Sequence, residues 1–239
     1  MEQAKKVTIV NPADIVEYEP VGGTDVRERR LLGRGVSKYI EIFWGEYGNQ
    51  GKREKQSNSF DQSIFILEGE VKFSGEGMEE IAQKRDMVFI PAGVEYQSLS
   101  NGAKFFSLNS CNNNSTEEKN SKKTISIIRI DDVPIYTPPG HEDTYNRLLV
   151  GPEMGCDGVE IILGKFGKTG TAHPHSHPYE QAIFLLEGIN ENISNEIIQL
   201  TKTGELKFIP GDLEHQSFGK TDITEFLLIY APPRSTFSS

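Results

Sequence analysis

The hydrophobic and polar positions of this chain form many short apolar runs. Each half contains four such runs in a similar order, with Gly, Asn or Pro between them. Short runs that are rich in aromatic and β-branched side chains are typical of strands, and several of them at this spacing predict a sandwich or barrel. We therefore predict an all-β fold. The runs are YIEIFWGEY, SIFILEGEVKF, DMVFIP and AKFFSLNS, followed by GVEIILGKF, AIFLLEG, ELKFIP and TEFLLIYAP.

The two halves of the chain repeat one another. Glu41–Gly69 aligns with Glu160–Gly188 without a gap at an offset of 119 (160 − 41), and 12 of the 29 aligned residues are identical. At the same offset, Asp86–Ser98 aligns with Glu205–Ser217, with six identities among 13 residues. Upstream the register slips by one, to an offset of 118. These matches predict an internal duplication of one domain.

The repeat defines the predicted domain organisation. The first domain is expected over residues 1–110 and the second over residues 124–239. Between them, residues 111–123 read CNNNSTEEKNSKK, which is polar and without periodicity, as in a linker.

Composition and charge limit the kinds of molecule that the chain is expected to bind and the compartment in which we expect it. The chain has 239 residues, of which 36% are hydrophobic and 25% are charged, as in ordinary globular proteins. Its net charge of −10 argues against binding to nucleic-acid phosphates or to anionic membranes. No apolar run reaches the roughly 18 residues of a membrane span, and the first residues lack the apolar core of a secretion signal. Two cysteines make no disulfide framework, so we expect a cytoplasmic protein.

The histidines point to metal chemistry, because imidazole is the commonest metal ligand at neutral pH. In a strand, residues i and i+2 share one face. We therefore predict His175, His177 and Gln181 on one face of one strand, with His215 closing the set from another strand. A lone histidine is usually structural, but this spacing is hard to explain by packing. The five histidines are His141, which lies far upstream, His173, His175, His177 and His215.

The second half resembles the two sequence motifs of the cupin superfamily. It has His-x-His, three residues, Gln, and six residues before Gly188, and then Gly204, five residues, Pro210 and a final His. The likeness covers nearly the whole chain, and the segment NRLLVGPEMG is similar to the small manganese-type cupins. The resemblance implies two tandem jelly-roll barrels (double-stranded β-helices), a bicupin, with a metal at the mouth of the second barrel. The implied ligands are His175, His177, Gln181 and His215.

The second motif departs from the family pattern at two positions. Gly219 stands in place of the usual Asn, and Asp212 replaces the usual Gly of the turn. Neither change removes a ligand, but both affect the rim of the site.

A rival ligand set lies in the same stretch. His173, His175 and Glu180 have the i, i+2, i+7 spacing that many cupins use. We prefer Gln181 as the ligand, because six residues separate it from Gly188 as the motif requires, whereas Glu180 gives seven.

Three imidazoles and a neutral amide suit one divalent transition metal, and Mn, Fe, Co, Ni, Cu and Zn all remain open. Such ligands leave the +2 charge uncompensated, so the centre would favour a carboxylate or another oxygen-rich anion. We expect a metal-dependent isomerase, lyase or hydrolase that acts on a small carboxylate or sugar-derived acid. The residues nearest in sequence that could move a proton are Glu180, Tyr179 and His173. Arg147 is either a carboxylate clamp or an ordinary surface residue.

Two other functions stay open. Cupins also include Fe(II) dioxygenases, which need the same ligands. A binding or regulatory protein that senses a metabolite without turnover belongs to a different class. A homodimer is also plausible, since barrels with open edges often pair.

The first half has no histidine at the equivalent positions, so we expect no transition metal there. Either this barrel only supports the second one, or its polar residues form a metal-free pocket for a small ligand. These residues are Gln56, Asn58, Gln62 and Tyr96.

Overall fold

The fold is all-β, as predicted. The structure is a computed structural model, and it describes residues 5–75, 77–110 and 124–237. The predicted linker at 111–123 lies outside these residues. Two nearly closed antiparallel sheets form tandem barrels of the jelly-roll type.

The first barrel contains nine strands among the described residues, in the order β10-β7-β4-β9-β3-β8-β5-β6, with β2 paired to β3. Their bounds are β2 (Gly23–Leu32), β3 (Ile40–Ser57), β4 (Asp61–Glu68), β5 (Glu70–Gly75), β6 (Met78–Gln83), β7 (Met87–Ile90), β8 (Glu95–Ser100), β9 (Ala103–Ser110) and β10 (Ser126–Ile128).

The second barrel repeats this arrangement. Its described strands follow the order β1-β16-β13-β18-β12-β17-β14-β15, with β11 paired to β12. The equal strand order fits the predicted duplication, which as a statement about origin stays a prediction. The bounds are β1 (Thr8–Val10), β11 (His141–Val150), β12 (Glu160–His175), β13 (Glu180–Glu187), β14 (Ile189–Ser194), β15 (Ile197–Lys202), β16 (Leu206–Ile209), β17 (His215–Gly219) and β18 (Thr224–Ala231).

Helical structure is limited to short 3-10 turns in the described part of the chain. They span Pro12–Asp14, Ile130–Asp132, Pro152–Met154 and Arg234–Phe237. None of the described helices has the length and apolar character that crossing a membrane would require.

Each compact unit combines segments from both sequence repeats. One unit consists of Met1–Asp14, Pro134–Leu149 and Val159–Ser239, and the other of Ile15–Val133 and Val150–Gly158. Accordingly, β1 pairs with β16 of the second barrel and β10 pairs with β7 of the first. The boundaries at residues 110 and 124 stay a prediction about the sequence repeats.

The interior of the second barrel is mostly apolar. Its buried cluster includes side chains from β12, β13 and β18, and the ring of Phe226 lies directly over Gly164. A Cβ at Gly164 would lie 2.3 Å from this ring, so the close approach requires glycine. The buried cluster consists of Ile162, Phe166, Ala172, Ile183, Leu185, Phe226 and Leu228.

Candidate metal centre

Three histidines converge at one end of the second barrel. His175 ends β12, His177 follows it, and His215 begins β17 directly opposite His175. One ring nitrogen from each of the three lies within 4.8 Å of the other two. His177 and His215 are buried, whereas His175 is half-buried. The cluster is therefore shielded from bulk water but open on one side.

The prediction that one strand presents His175, His177 and Gln181 on one face was wrong. His177 lies between two strands, and Gln181 belongs to the next strand, β13. Pro178 explains the break, because proline cannot donate a ladder hydrogen bond and favours the end of a strand. The loop returns the chain to the same end of the barrel.

A β-bulge turns His175 inward. Ala172 pairs with Ser217 but His175 pairs with His215, so three steps on β12 oppose two on β17. An extra residue reverses which side chains face the interior from that point onward. Ala172 is buried before the bulge, and His175 faces the cluster after it.

Backbone carbonyls fix the orientation of all three rings. A carbonyl oxygen can only accept, so each Nδ1 carries the proton and each neutral ring keeps a lone pair on Nε2. Hydrogen bonds of this kind are the usual support of a histidine that binds a metal through its other nitrogen. The contacts are His175 Nδ1 to His173 O at 2.7 Å, His177 Nδ1 to Tyr179 O at 2.8 Å and His215 Nδ1 to Leu213 O at 2.9 Å.

The free lone pairs fit a metal cation. His177 Nε2 lies 3.1 Å from Gln181 Oε1, and with Nδ1 protonated both atoms are acceptors. His215 Nε2 is buried and has no hydrogen-bond partner among the described residues. A buried acceptor without a donor is costly, and a divalent cation within reach of these atoms would satisfy them. The donor set therefore fits the group that the sequence predicts.

Burial also favours the neutral form of two of the imidazoles, those of His177 and His215. It lowers the pKa of His215 to about 3, and the other histidines add to this shift by charge repulsion. Burial likewise lowers the pKa of His177, although the acceptor oxygens of Gln181 and of the backbone beside its ring oppose the change. Neutral imidazole is the form that binds metals, so the cluster is available at neutral pH.

The rival ligands lie elsewhere. His173 is exposed, and its Nε2 is 3.8 Å from a carboxylate oxygen of Glu142. Glu180 is buried at the start of β13 but does not join the histidine cluster. The structure thus brings Gln181, and not Glu180, next to His177.

A small cavity opens beside the cluster. Its volume is about 60 Å³, which holds a few water molecules or a ligand of a few heavy atoms. His175, His215 and Gln181 line it together with the apolar side chains Phe166, Ala172, Ile183, Phe226 and Leu228. The polar remainder of the wall comes from His141, Thr144, Asn146, Asn190, Ser217, Tyr230 and Arg234.

The proton-moving residues expected from the sequence do not line this cavity. Tyr179 stacks on His177 with ring centroids 4.0 Å apart and packs edge-on against Tyr230. Glu180 and His173 are also absent from the wall. Their catalytic role stays a prediction.

His141 and Arg234 are among the cavity residues that the sequence reasoning missed. His141 lines the wall with its ring centroid 6.3 Å from that of His175. Arg234 lines it too, with its guanidinium over the ring of Tyr230 and Nε 2.7 Å from Glu160. Arg147, the sequence candidate for a clamp, is not part of the wall. Since β11 and the segment after β18 reach the cavity only through the fold, no local motif marks either residue.

The first barrel fills the equivalent position with its own side chains. The hydroxyl of Tyr96, which corresponds to His215, accepts from Gln56 Nε2 at 2.6 Å and donates to Gln62 Oε1. Tyr96 is fully buried, and burial raises its pKa to about 12. Tyr96, Gln56 and Gln62 therefore satisfy one another, which favours the supporting role over a ligand pocket.

A buried ion pair fills a further part of the interior of the first barrel. Arg53 and Glu28 are both buried and form a salt bridge. The equivalent residues of the second barrel are Ala172, at the offset of 119, and Asn146, at the upstream offset of 118. Both are smaller and line the cavity. The absence of this ion pair from the second barrel thus accounts for the space in the cavity beside the histidines.

The fold is that of known cupin structures. A cupin 2 conserved barrel domain protein from Leptotrichia buccalis matches with a TM-score of 0.67 and 16% identity, over 94% of this chain and 96% of its own. A protein of Pseudomonas aeruginosa described as glyoxylate-induced matches with a TM-score of 0.81 and 16% identity, over 96% and 88%. An oxalate decarboxylase from Lactobacillus farciminis, in a formate complex, matches with a TM-score of 0.71 and 13% identity, over 98% and 88%.

These likenesses define the class by fold. The chain is similar over nearly its full length to two-barrel cupin structures, so it has a bicupin fold with a three-histidine cluster in its second barrel. The sequence matches no protein-family model, and a search of curated proteins found no match.

Proposed function

We propose that the second barrel is a metal-dependent enzyme of the lyase or isomerase type that acts on a small carboxylate. Its metal ligands are His175, His177, His215 and Gln181. One observation carries the proposal: ring nitrogens of three buried or half-buried histidines converge beside the Gln181 amide oxygen, and His215 Nε2 has no hydrogen-bond partner among the described residues.

Neutral ligands set the charge of the site. Three imidazoles and an amide contribute no negative charge, and none of the described cavity-lining residues is Asp or Glu. A bound divalent metal would supply a Lewis acid that stabilises negative charge on a substrate oxygen. An anionic ligand is therefore favoured, and the size of the cavity favours a small carboxylate over a sugar-derived acid.

The cavity residues can hold and shield such a ligand. Arg234 offers a cationic group at the wall, and its guanidinium lies over the ring of Tyr230. His141 donates Nδ1–H to Pro139 O at 3.0 Å, which leaves its Nε2 as an acceptor for a substrate proton. The apolar side chains of the wall leave little room for water beside a bound ligand, which favours a lyase or isomerase over a hydrolase.

Manganese is the first metal to test. A matching oxalate decarboxylase from Bacillus subtilis is described as having Mn(II) centres. At 12% identity this likeness concerns the fold, so it supports the choice of metal only as a starting point.

The test is metal content in paired variants. We expect about one metal ion per chain in the wild-type protein and near zero in His215→Ala, because removing one of four ligands opens the site. Tyr96→Phe, at the equivalent position of the first barrel, is the control and should keep the metal. Elemental analysis after Mn(II) reconstitution and desalting measures all three.

Three results would contradict this proposal. Metal that persists in His215→Ala, or that disappears in Tyr96→Phe, would place the site elsewhere. About one iron per chain with oxygen uptake on small carboxylates would instead indicate a dioxygenase.

A further inference from the structure

A lysine lies fully buried inside the second barrel. Lys207 sits in β16, where all four residues are buried, and its side chain has 0% exposure. Lysine is almost never fully buried unless it is paired with an opposite charge. A fully buried Lys207 therefore requires neighbouring groups that stabilise its charge.

The partners of Lys207 are all neutral. Its Nζ donates to Asn190 Oδ1 at 2.5 Å and lies 3.5 Å from Asn192 Oδ1 and 3.4 Å from Ser217 Oγ. No Asp or Glu among the described residues forms an ion pair with it, and burial lowers its pKa to about 7. In its protonated form Lys207 is thus stabilised by neutral dipoles alone, without a compensating charge.

The first barrel shows that the fold does not need this lysine. At the offset of 119, Lys207 corresponds to Val88, Asn190 to Val71 and Asn192 to Phe73. These residues are buried members of an apolar cluster. The same strands therefore pack without polar groups, and the polar cluster of the second barrel serves something other than the fold.

The polar cluster borders the ligand cavity. Asn190 and Ser217, which both contact Lys207, line the cavity, and so does Ile183, the cross-strand neighbour of Lys207. The cation in the wall itself, Arg234, is paired with Glu160 at 2.7 Å. Lys207 is consequently the cation beside the cavity that has no acidic partner in the described part of the chain.

We propose that Lys207 determines the charge specificity of the site: its buried ammonium, one layer behind Asn190 and Ser217, makes the cavity select an anion over a neutral molecule of the same shape. The proposal rests on the proposed function for the position of the ligand. It adds the residue that selects the charge of this ligand, and it makes Lys207 a positioning residue rather than a catalytic one.

A buried positive charge has opposite effects on the two ligands of the site. It attracts an anion in the cavity and repels a divalent cation held by the histidines, since both interactions pass through a medium of low dielectric. If Lys207 only supported the structure, its removal would change the affinities for the anion and for the metal in the same direction. The signs of these two affinity changes therefore distinguish a structural lysine from one that selects the charge of the ligand.

The experiment compares wild-type protein with Lys207→Met at pH 6.5. Ligand-observed NMR gives the affinities for formate and for formamide, its neutral counterpart. A titration followed by the electron paramagnetic resonance signal of free Mn(II) gives the metal affinity. Lys207→Met should weaken formate binding by about tenfold or more, leave formamide binding within about twofold, and leave Mn(II) binding equal or tighter.

Lys202→Met is the matched control, because it removes the same charge from an exposed position of the same barrel. It should change none of the three affinities. The proposal is overturned if Lys207→Met keeps its preference for formate, if it loses formate and Mn(II) binding together, or if wild-type protein shows no preference. Absent metal with intact formate preference would contradict the proposed metal enzyme while supporting the role of Lys207.

Discussion

Single side chains decide the difference between the two barrels. Tyr96 fills one barrel with a hydroxyl that its neighbours satisfy, whereas His215 has a buried Nε2 without a hydrogen-bond partner in the described part of the chain. The same contrast separates Val88 from Lys207. Because the surrounding strands are alike, these exchanges change the chemistry of the interior without changing the fold.

The depressed pKa of Lys207 predicts a pH dependence of stability. Its pKa falls from 10.5 to about 7 in the folded state, so the unfolded chain binds more protons between pH 7 and 10.5. Burial of the charged form therefore destabilises the protein below pH 7, by about 5 kcal/mol, and this penalty disappears as pH rises towards 10.5.

Denaturant unfolding of wild-type protein and Lys207→Met at several pH values measures this effect. The free energy of unfolding of the variant relative to wild type should be highest near pH 6 and should fall by several kcal/mol towards pH 10. A difference that does not change with pH would mean that the pKa of Lys207 is the same in the folded and the unfolded protein.

At the scale of elements, the bulge in β12 assembles the site. It turns His175 inward, and the break at Pro178 then places His177 and Gln181 at the same barrel end. The first barrel has the same irregularity, since Arg53 pairs with Ser98 and Gln56 with Tyr96. The bulge is therefore part of the architecture, and the histidines exploit it.

Deletion of Pro174 tests this role. Removing one residue from the bulge should turn His175 towards solvent and abolish Mn(II) binding, because a shift by one residue exchanges the faces of a strand. Deletion of Lys55, the equivalent residue of the first barrel, should leave the metal in place. Metal content and circular dichroism of the two variants check the prediction, and metal retained without Pro174 would refute it.

At the scale of the whole molecule, short segments complete the barrels. Val7 is buried with Ile209 and Leu213, next to the three residue pairs that join β1 to β16. The start of the chain therefore contributes to the barrel that carries the histidines, although the sequence repeat assigns it to the first domain.

Val7→Asp should destabilise the second barrel selectively, by more than about 3 kcal/mol, because it buries a charge. Hydrogen exchange measures this, with faster exchange expected in Leu206–Ile209 than in wild type and no change in the equivalent segment Met87–Ile90. Val16→Asp is the control, since Val16 is 86% exposed. Equal acceleration in both segments would contradict the assignment of β1.

The amino-acid sequence by itself determined the all-β class, the repeat, and the residue types of the candidate site. The alternation of apolar and polar residues and the glycines between strands are local properties of the sequence. The two repeats can also be compared directly with each other. The contrast of Val88 with Lys207 was also readable from that alignment, but a lone lysine carries no sign of its burial.

Only the tertiary structure decided the geometry. It put a bulge and a loop where one straight strand was predicted, it assigned Thr8–Val10 to the second barrel, and it brought His141 and Arg234 to the cavity. These outcomes depend on pairing between residues far apart in the chain. Such pairing is selected by the packing of the whole barrel, which no local pattern encodes.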